Sequence, residues 1–305
     1  MSSPLEQYLA ELGDLSKPVI TSRLTELSAL SAEELAILKR EWPQIDVARR
    51  RLIMERLIEL TEDNFDLDFD DFCRICLPDS DSEVRVRAIE GLYACEERSL
   101  IEPLINLLIE DEEHTVRATA ATALGRFAML AELGRLSADD ADRVEQALLT
   151  AFDEQNEQPS VLCRVLEAIS PLDKPHVQEM IRQMYHSNDL EFRASALYSM
   201  GLNCNPIWLP ILLKELRSLH PQLRFEAVGA CGELEAEDAV PHIAELIEDS
   251  DAEVQIAAIE ALGRIGGGEA NECLKQCLNN PDEAVREAAE EALDEIGFWE
   301  DPFDL

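Results

Sequence analysis

A chain of 305 residues is long enough for two ordinary domains or for one array of repeats, and its 46% hydrophobic content is ample for a buried core. The formal net charge of −38 at pH 7 disfavours nucleic acid and anionic membranes as partners, because both are bound by neutralising phosphates with Lys and Arg. Residues 1–60 carry 8 basic and 10 acidic residues, a balance of −2, which leaves −36 for residues 61–305. A cationic protein or peptide is the easier partner to accommodate.

The first 60 residues are predicted to be a helical N-terminal cap. Two capping boxes, Ser3 with Glu6 and Ser31 with Glu34, indicate helix starts. The chain opens without a basic stretch followed by an apolar run, and 18 apolar residues never run together, so we expect a cytoplasmic protein. Arg49–Arg51 form a concentrated basic cluster, which we expect the acids of residues 62–71 to neutralise.

Two cysteines follow as a CxxC pair, Cys73 and Cys76, which invites a metal or redox interpretation. Both stand where other repeats carry core aliphatic residues, and a free cysteine behaves as a small buried hydrophobe. No second CxxC with zinc-ligand spacing exists. We therefore interpret the pair as structural and predict no metal, no cofactor and no catalytic residue.

Seven apolar residues, which we call anchors, open a repeated pattern, and the last five recur every 31 residues: Val84, Val116, Val161, Phe192, Leu223, Val254 and Val285. Small or apolar residues at +4, +7 and +8 from most anchors lie on one face of a helix with 3.6 residues per turn. Apolar pairs 11 and 8 residues before the anchor, such as Ile105 and Leu108, predict a preceding helix. Two such helices cannot bury their apolar faces alone, so neighbouring repeats must stack.

The recurring order Asp-x-x-apolar-Arg-x-x-Ala-x-x-Ala-Leu-Gly, as from Asp81 or Asp189, resembles the HEAT-like repeats first recognised in phycobilisome lyases. The resemblance covers about residues 65–297 and implies an all-α fold. The expected architecture is a right-handed α-solenoid, a superhelix of about seven two-helix HEAT-like repeats. We predict an N-terminal cap at 1–60, a repeat array at 61–297 and an acidic-aromatic C-terminal tail at 298–305.

Three further positions of the repeat carry expectations. Asp at −3 is suited to cap the helix start, and Gly at +9 is suited to end the helix in a left-handed conformation. The resemblance implies that the Arg at +1 pairs with the Asp at −3 of an adjacent repeat, forming a ladder along the array.

Two segments depart from the repeat. Val116 and Val161 are 45 residues apart, which is 14 more than one repeat, and the surplus falls near residues 129–143. Ser137 and the acids after it indicate a fresh helix start there. We favour a longer connection with an extra helical turn, with a binding loop as the alternative. The aromatic residues of 298–305 are expected to cover the last repeat, with a short linear motif for a partner as the alternative.

Positions −1, +3, +6 and +10 of each second helix are predicted to be exposed on the concave surface of the solenoid. Tyr and Arg are common at binding hot spots, and the middle of this ridge carries both. The candidate binding residues are Arg87, Glu90, Arg164, Glu167, Tyr198, Glu226 and Glu260. The alternative is a solvated face with helix ion pairs Arg87–Glu90 and Arg164–Glu167.

The favoured function is a non-catalytic scaffold or adaptor that binds a protein or peptide of basic character on this surface. The resemblance also implies an alternative, a bilin lyase-like subunit or chaperone that handles a chromophore. Deoxyhypusine hydroxylases are built from similar repeats and bind iron through His-Glu pairs. None of the five histidines here is followed by Glu, which disfavours that oxidoreductase activity. The oligomeric state is left open.

Overall fold

The structure is a computed structural model that describes residues 3–64, 66–154 and 157–300, with backbone alone at 62–63 and 297–300. Within these ranges all regular secondary structure is helical. The α-helices described are α1 (Pro4–Leu12), α2 (Thr21–Leu24), α3 (Ala32–Glu41), α4 (Val47–Asp63), α5 (Asp70–Cys76), α6 (Ser82–Gly91), α7 (Ile101–Glu110), α8 (His114–Glu132), α9 (Ala138–Phe152), α10 (Pro159–Ile169), α11 (Pro175–Tyr185), α12 (Leu190–Leu202), α13 (Leu209–Glu215), α14 (Pro221–Glu233), α15 (Val240–Leu246), α16 (Ala252–Ile265), α17 (Gly267–Cys277) and α18 (Glu283–Glu300). The all-α prediction is confirmed.

Each anchor lies in the second helix of a helix pair, from α6 to α18 at every other helix. Six anchors are buried, and Phe192 is half-buried. The residues at +4 are buried in every pair, which confirms the predicted apolar face. The handedness and the number of repeats stay predictions, as do the boundaries of the cap and the array.

The chain divides into two compact units, residues 1–165 and 166–305. In the first unit, second helices α6 and α8 pack on each other, and α4 packs on α6 in the same way. In the second unit, α12, α14, α16 and α18 pack in sequence. First helices, such as α7 and α15, pack against the second helix of their own pair.

The glycines at +9 do not end their helices, contrary to the prediction. Gly201 and Gly232 lie inside α12 and α14, and a left-handed residue follows three positions later, at Cys204 (φ 49°) and Glu235 (φ 47°). The reason for glycine at +9 is close helix packing. A Cβ on Gly201 would lie 2.9 Å from the Cα of Ala230 on the next second helix.

The same contact recurs along the second unit. A Cβ on Gly232 would lie 3.2 Å from the Cα of Ala261, and one on Gly263 would lie 3.0 Å from the Cβ of Ala292. In each case position +9 of one second helix meets position +7 of the next. Small residues at both positions let successive helices approach, and this contact sets their register.

The arginine at +1 makes two kinds of contact. Its Nη1 donates to the backbone carbonyl six residues earlier, at 2.8 Å in Arg85, 2.7 Å in Arg117 and 2.8 Å in Arg224. Its other guanidinium nitrogens form a bidentate ion pair with an acid that precedes the next second helix. These pairs are Arg85 with Asp111, Arg117 with Glu157 and Arg224 with Asp249. Charge-assisted pairs of this geometry are stronger than neutral hydrogen bonds.

The acid of the ladder is therefore not the Asp at −3, and this part of the prediction was wrong. Asp189 and Asp251 instead accept backbone N–H groups at the start of their own helices, from Glu191 at 2.8 Å and Glu253 at 3.1 Å. They serve as helix caps. Asp81 does both, because it also pairs with Arg51 of α4.

Two of these ladder acids, Asp111 and Asp249, stand at −5. Where the ladder breaks, both partners change: Gln255 replaces the arginine and Asn280 replaces the acid at −5 of the next repeat. Gln255 keeps the bond to its own repeat, donating to the Asp249 carbonyl at 2.8 Å. Where −5 is Ser218, Arg193 pairs with Glu215 at 3.2 Å. The ladder is thus built from position −5 and substitutes near it.

The basic cluster Arg49–Arg51 is neutralised by partners other than those expected. Arg50 donates to the buried Asp79 at 2.6 Å, and Arg51 pairs with Asp81 at 2.6 Å. Arg49 donates to the Lys17 carbonyl at 2.7 Å. Asp79 also stands at −5 and accepts the indole N–H of Trp42 at 2.8 Å, so the ladder begins with α4.

The surplus after Val116 lies mostly in helices. α8 has 19 residues and α9 has 15. Ser137 is the N-cap of α9, and its hydroxyl accepts the backbone N–H of Asp140, which confirms the predicted helix start. Ion pairs from Arg98 to Asp140 and from Arg143 to Glu102 tie α9 to the α7 segment. At the other end, α18 continues to Glu300, whereas the side chains of the predicted tail, 298–305, lie outside the described residues.

Candidate interaction surface

Four predicted binding residues belong to the second unit, and two of them, Tyr198 and Glu260, have the expected exposure. Tyr198 is 47% exposed, Glu260 is exposed and Glu226 is half-buried. The predicted exposure of Glu167 was wrong, because this residue is only 9% exposed and accepts a hydrogen bond from the Ser195 hydroxyl at 2.9 Å. Ser195, at +3 of α12, is buried as well, so this part of the ridge is covered by the adjacent helix.

Tyr198 is accompanied by a second aromatic residue. Phe225, at +2 of α14, is not at one of the positions predicted to be exposed, yet it is 41% exposed. Gly201 of α12 packs on Ala230 of α14. Tyr198 lies one turn before Gly201, and Glu226 lies one turn before Ala230. Tyr198 therefore lies level with Glu226. A Cβ at Gly229, one turn after Phe225, would meet no atom within 4 Å, so this surface is open. We call Tyr198, Phe225, Glu226 and Glu260 the aromatic ridge.

The chain around the aromatic ridge is strongly acidic. Residues 225–263 contain no Lys or Arg and eleven acids: Glu226, Glu233, Glu235, Glu237, Asp238, Glu245, Glu248, Asp249, Asp251, Glu253 and Glu260. Asp249 is neutralised by Arg224 and Glu233 by Arg264. Glu253, at −1 of α16, and Glu260 remain exposed. The ridge therefore combines exposed aromatic surface with a concentrated negative field.

The other three predicted residues, Arg87, Glu90 and Arg164, belong to the first unit. Arg87 and Glu90 form the helix ion pair of the solvated-face alternative, with Nη1 and Oε2 3.0 Å apart. Glu90 and Arg164 both line an open hollow of about 520 Å³. Its floor is made of small residues and hydroxyls, including Ala118, Thr119 and Thr122 of α8. The structure thus brings two of the three residues into one concavity.

An aromatic residue at the rim of this hollow was not predicted. Tyr93 is 70% exposed, and the guanidinium carbon of Arg126 lies 4.5 Å from its ring centroid. This is a cation–π contact. The sequence did contain a signal, because Tyr93 stands at +9, the position at which four other repeats carry glycine.

The CxxC pair is part of the core, as predicted. Cys73 is 2% exposed and Cys76 is fully buried. Burial raises the pKa of the Cys73 thiol to about 12 and that of Cys76 well above its usual range. A Cβ on Gly91 would lie 2.7 Å from the Cys73 sulfur, so the two helices touch there. Across the ranges that the structure describes, His, Cys, Asp and Glu form no group of three that could hold a metal ion.

In the described part of the chain, every helix is too short or too polar to span a bilayer. No curated protein is similar to the sequence at a significant level. The complex of CpcE and CpcF of phycocyanin lyase from Nostoc sp. PCC7120 has a similar fold. The match covers 93% of this chain and 97% of that chain, with 16% identity and a TM-score of 0.55.

Two further solved structures show weaker similarity. YibA of E. coli is 17% identical over 78% of this chain and 96% of its own, with a TM-score of 0.47. Human deoxyhypusine hydroxylase is 17% identical over 96% and 97%, with a TM-score of 0.38. The family model described as HEAT repeats matches residues 70–154 and 209–294, more than half of the sequence. The chain therefore belongs to the HEAT-repeat family.

Proposed function

We propose that this protein is a non-catalytic scaffold that binds a Lys- or Arg-rich segment of another protein on the aromatic ridge. The observation that carries the proposal is the exposure of Tyr198 of α12 and Phe225 of α14, the next second helix. Phe225 opens the stretch 225–263, whose 39 residues hold eleven acids and no Lys or Arg. Exposed aromatic rings within a charged rim are typical of interaction surfaces.

The chemistry of the ridge favours a basic, extended ligand. A Lys or Arg side chain can lay its aliphatic stem or its cation on an aromatic face. The same cation is then within reach of a glutamate on the same helix or the next, such as Glu226 or Glu260. Contacts between the basic side chain and the aromatic rings give affinity. The summed negative charge of the surrounding acids speeds association and disfavours acidic competitors.

The test uses a display library of random 12-residue peptides selected on the full chain. We expect the selected sequences to carry net positive charge and their affinity to fall as salt is raised. Replacing Tyr198 and Phe225 together by Ala should weaken the selected peptides by about tenfold or more, in the range of a hot-spot loss. Binding is measured by titration calorimetry at two salt concentrations.

A matched control removes two other exposed apolar residues of the same unit, Ile207→Ser with Leu219→Ser, which are not part of a second helix. This variant should bind as the unaltered chain does. Selected peptides without net positive charge would contradict the proposal. Equal binding by the Tyr198→Ala, Phe225→Ala variant and the control would contradict it as well.

A role in handling a chromophore stays the second hypothesis. The likeness to the phycocyanin lyase complex, at 16% identity, concerns the fold. Mixing the purified chain with a bilin and recording its absorption spectrum separates the two hypotheses. A scaffold leaves the band of the free pigment unchanged, whereas a chromophore-binding protein shifts it.

A further inference from the structure

The first unit carries an open hollow of about 520 Å³ whose described lining lies within residues 89–164. Its floor is a face of α8 that carries small side chains: Thr115, Ala118, Thr119, Thr122 and Ala123. Beside this floor stand Glu90 and Tyr93, from the end of α6, and Ser160 and Arg164, from α10. We call this concavity the α8 hollow.

The hollow arises because α8 lacks large side chains at two outward positions. At +3 and +6, α6 carries Arg87 and Glu90, whereas α8 carries Thr119 and Thr122. The hydroxyls of both threonines donate within their own helix, from Thr119 to the Thr115 carbonyl at 2.9 Å and from Thr122 to the Ala118 carbonyl at 3.2 Å. Their protons are thus already used, so this floor favours an apolar side chain of a ligand.

The hollow is poor in acids, in contrast to the chain as a whole. Residues 114–131 of α8 hold no Asp or Glu, although 64 of the 305 residues of the chain are acidic. Among the described residues that line the hollow, Glu90 is the one acid, and the Nη1 of Arg87 lies 3.0 Å from its Oε2. Arg164 adds a guanidinium to the same lining. The hollow is therefore a cationic place in an anionic chain.

A second cation is fixed at the edge of the hollow by an aromatic ring. Tyr93 is 70% exposed, and the guanidinium carbon of Arg126, one turn after Thr122, lies 4.5 Å from its ring centroid. A guanidinium that stacks on a ring keeps its N–H edge for a carboxylate, which it can bind with two hydrogen bonds. Ring and cation together suit a ligand that combines a carboxylate with an apolar side chain.

We propose that the α8 hollow binds an acidic segment of a partner protein, in which an apolar side chain lies between two carboxylates. The apolar side chain covers Ala118 and Thr122, and the carboxylates pair with Arg126 and Arg164. Charges are screened over about 8 Å at physiological salt, so these nearby cations outweigh the more distant acids of the chain. The site lies in the other unit from the aromatic ridge and takes a ligand of opposite charge.

The spacing of the helices sets the length of the segment. In the order of second helices α8 stands between α6 and α10, and packed helices lie about 8–10 Å apart. The hollow therefore extends over about 16–20 Å, which an extended chain crosses in about five or six residues at about 3.3 Å per residue. A ligand of this length reaches from Arg126 to Arg164.

The test selects peptides on the unaltered full chain from two display libraries of 12-residue sequences. One library contains Asp, Glu, Leu, Ile, Phe, Gly and Ser, and the other has Asn and Gln in place of Asp and Glu. We expect binders from the acidic library, with Leu, Ile or Phe between two acids. Replacing both acids of a selected peptide by their amides should weaken binding by about tenfold or more, measured by fluorescence anisotropy.

Two receptor variants locate the site. Thr122→Trp fills the floor of the hollow and should weaken the selected peptide by about tenfold or more. Its matched control is Thr150→Trp on α9, because Thr150 is also exposed and its hydroxyl also donates to the carbonyl four residues earlier, at 2.7 Å. This control should bind as the unaltered chain does. Circular dichroism confirms that both variants keep their helices.

A charge reversal tests the pairing with Arg126. Arg126→Glu should weaken the acidic peptide by about tenfold, and replacing one of the peptide's acids by Lys should restore binding to this variant. Lys39→Glu makes the same charge change at an exposed position of α3 and should leave the affinity unchanged.

Three results would overturn this inference. The first is that the acidic library yields no peptide with saturable binding up to about 1 mM, or that the amide library yields equally tight ones. The second is equal affinity of the Thr122→Trp and Thr150→Trp receptors. The third is equal affinity of the Arg126→Glu and Lys39→Glu receptors. None of these results bears on basic peptides at the aromatic ridge, because that test uses residues of the other unit.

Discussion

Arg224 joins two repeats through the carboxylate of Asp249. Its Nε donates to Oδ2 at 2.7 Å and its Nη2 to Oδ1 at 2.6 Å, while its Nη1 donates to the Ser218 carbonyl at 2.8 Å. Asp249 also accepts the backbone N–H of Asp251 at 2.9 Å. Both side chains are largely buried. One ion pair thus fixes the loop before α16 and ties it to α14.

Replacing Arg224 by Gln should destabilise the protein by about 2–3 kcal/mol, because Asp249 then stays largely buried without its cation. Gln255 shows that Gln can keep the bond to the carbonyl six residues earlier. Urea unfolding measures the loss. The double variant Arg224→Gln with Asp249→Asn should be more stable than the sum of the single losses predicts. Additive losses would show that the pair is not coupled.

The contribution of Asp249 to the free energy of unfolding should depend on pH only in the acidic range. Burial raises the pKa of Asp249, but the hydrogen bonds from Arg224 and from the Asp251 N–H outweigh it and hold the pKa below its usual value. A lowered folded-state pKa stabilises the fold above the unfolded-state pKa of about 3.9. That stabilisation is lost as the pH falls through the folded-state pKa.

The stability difference between the unaltered chain and Asp249→Asn should therefore be constant from about pH 7 to pH 5 and shrink below about pH 4. Urea unfolding at four pH values measures it. Gly232→Ala changes no charge and serves as the reference. The loss in free energy of unfolding that it causes should not shrink at low pH. A difference that already narrows between pH 7 and pH 5 would contradict the prediction.

Two glycines of α14 should respond to alanine in opposite directions. Gly232→Ala places a Cβ 3.2 Å from the backbone of Ala261, so the helices must separate, at a cost of about 1–3 kcal/mol. Gly229→Ala meets no atom within 4 Å and removes a helix-breaking residue, which should stabilise by up to about 1 kcal/mol. Thermal unfolding compares them. If both substitutions shifted the melting temperature in the same direction, close helix packing would not be the reason for glycine at position 232.

Thiol reactivity should follow burial. At pH 8, Ellman's reagent should modify the exposed Cys204 first, whereas Cys73 and Cys76 stay protonated and covered. Mass spectrometry of digested samples locates the modified cysteines. Cys204→Ser should remove the fast phase and leave the slow one. Rapid modification of Cys73 in the folded protein would revive the redox interpretation of the CxxC pair.

The repeat register and the helix starts could be predicted because they depend on local chemistry. An apolar stripe with a period of 3.6 specifies a helix and its buried face whatever lies beyond it. Ser137 and Asp251 cap their helices through backbone groups within three residues, so the spacing in the sequence already contains the geometry. The buried role of Cys73 follows from its place in that register.

Contacts between repeats could not be predicted in the same way. The arginine ladder uses the acid at position −5 rather than −3. Glycine at +9 serves helix packing rather than helix termination. Both contacts depend on how far one repeat is shifted along the next. That shift places position +9 beside position +7 of the following helix. It also covers Glu167 and leaves Phe225 exposed.

The sequence by itself determined the HEAT repeat, its register and its caps, since each needs only residues that are near one another along the chain. Tertiary structure decided which acid each arginine meets, why Gly232 must be glycine and which residues of the predicted ridge face solvent. Those outcomes depend on distances between helices. Such distances are set by the packing of residues 25 to 40 positions apart, as in Arg224 with Asp249 and Arg117 with Glu157.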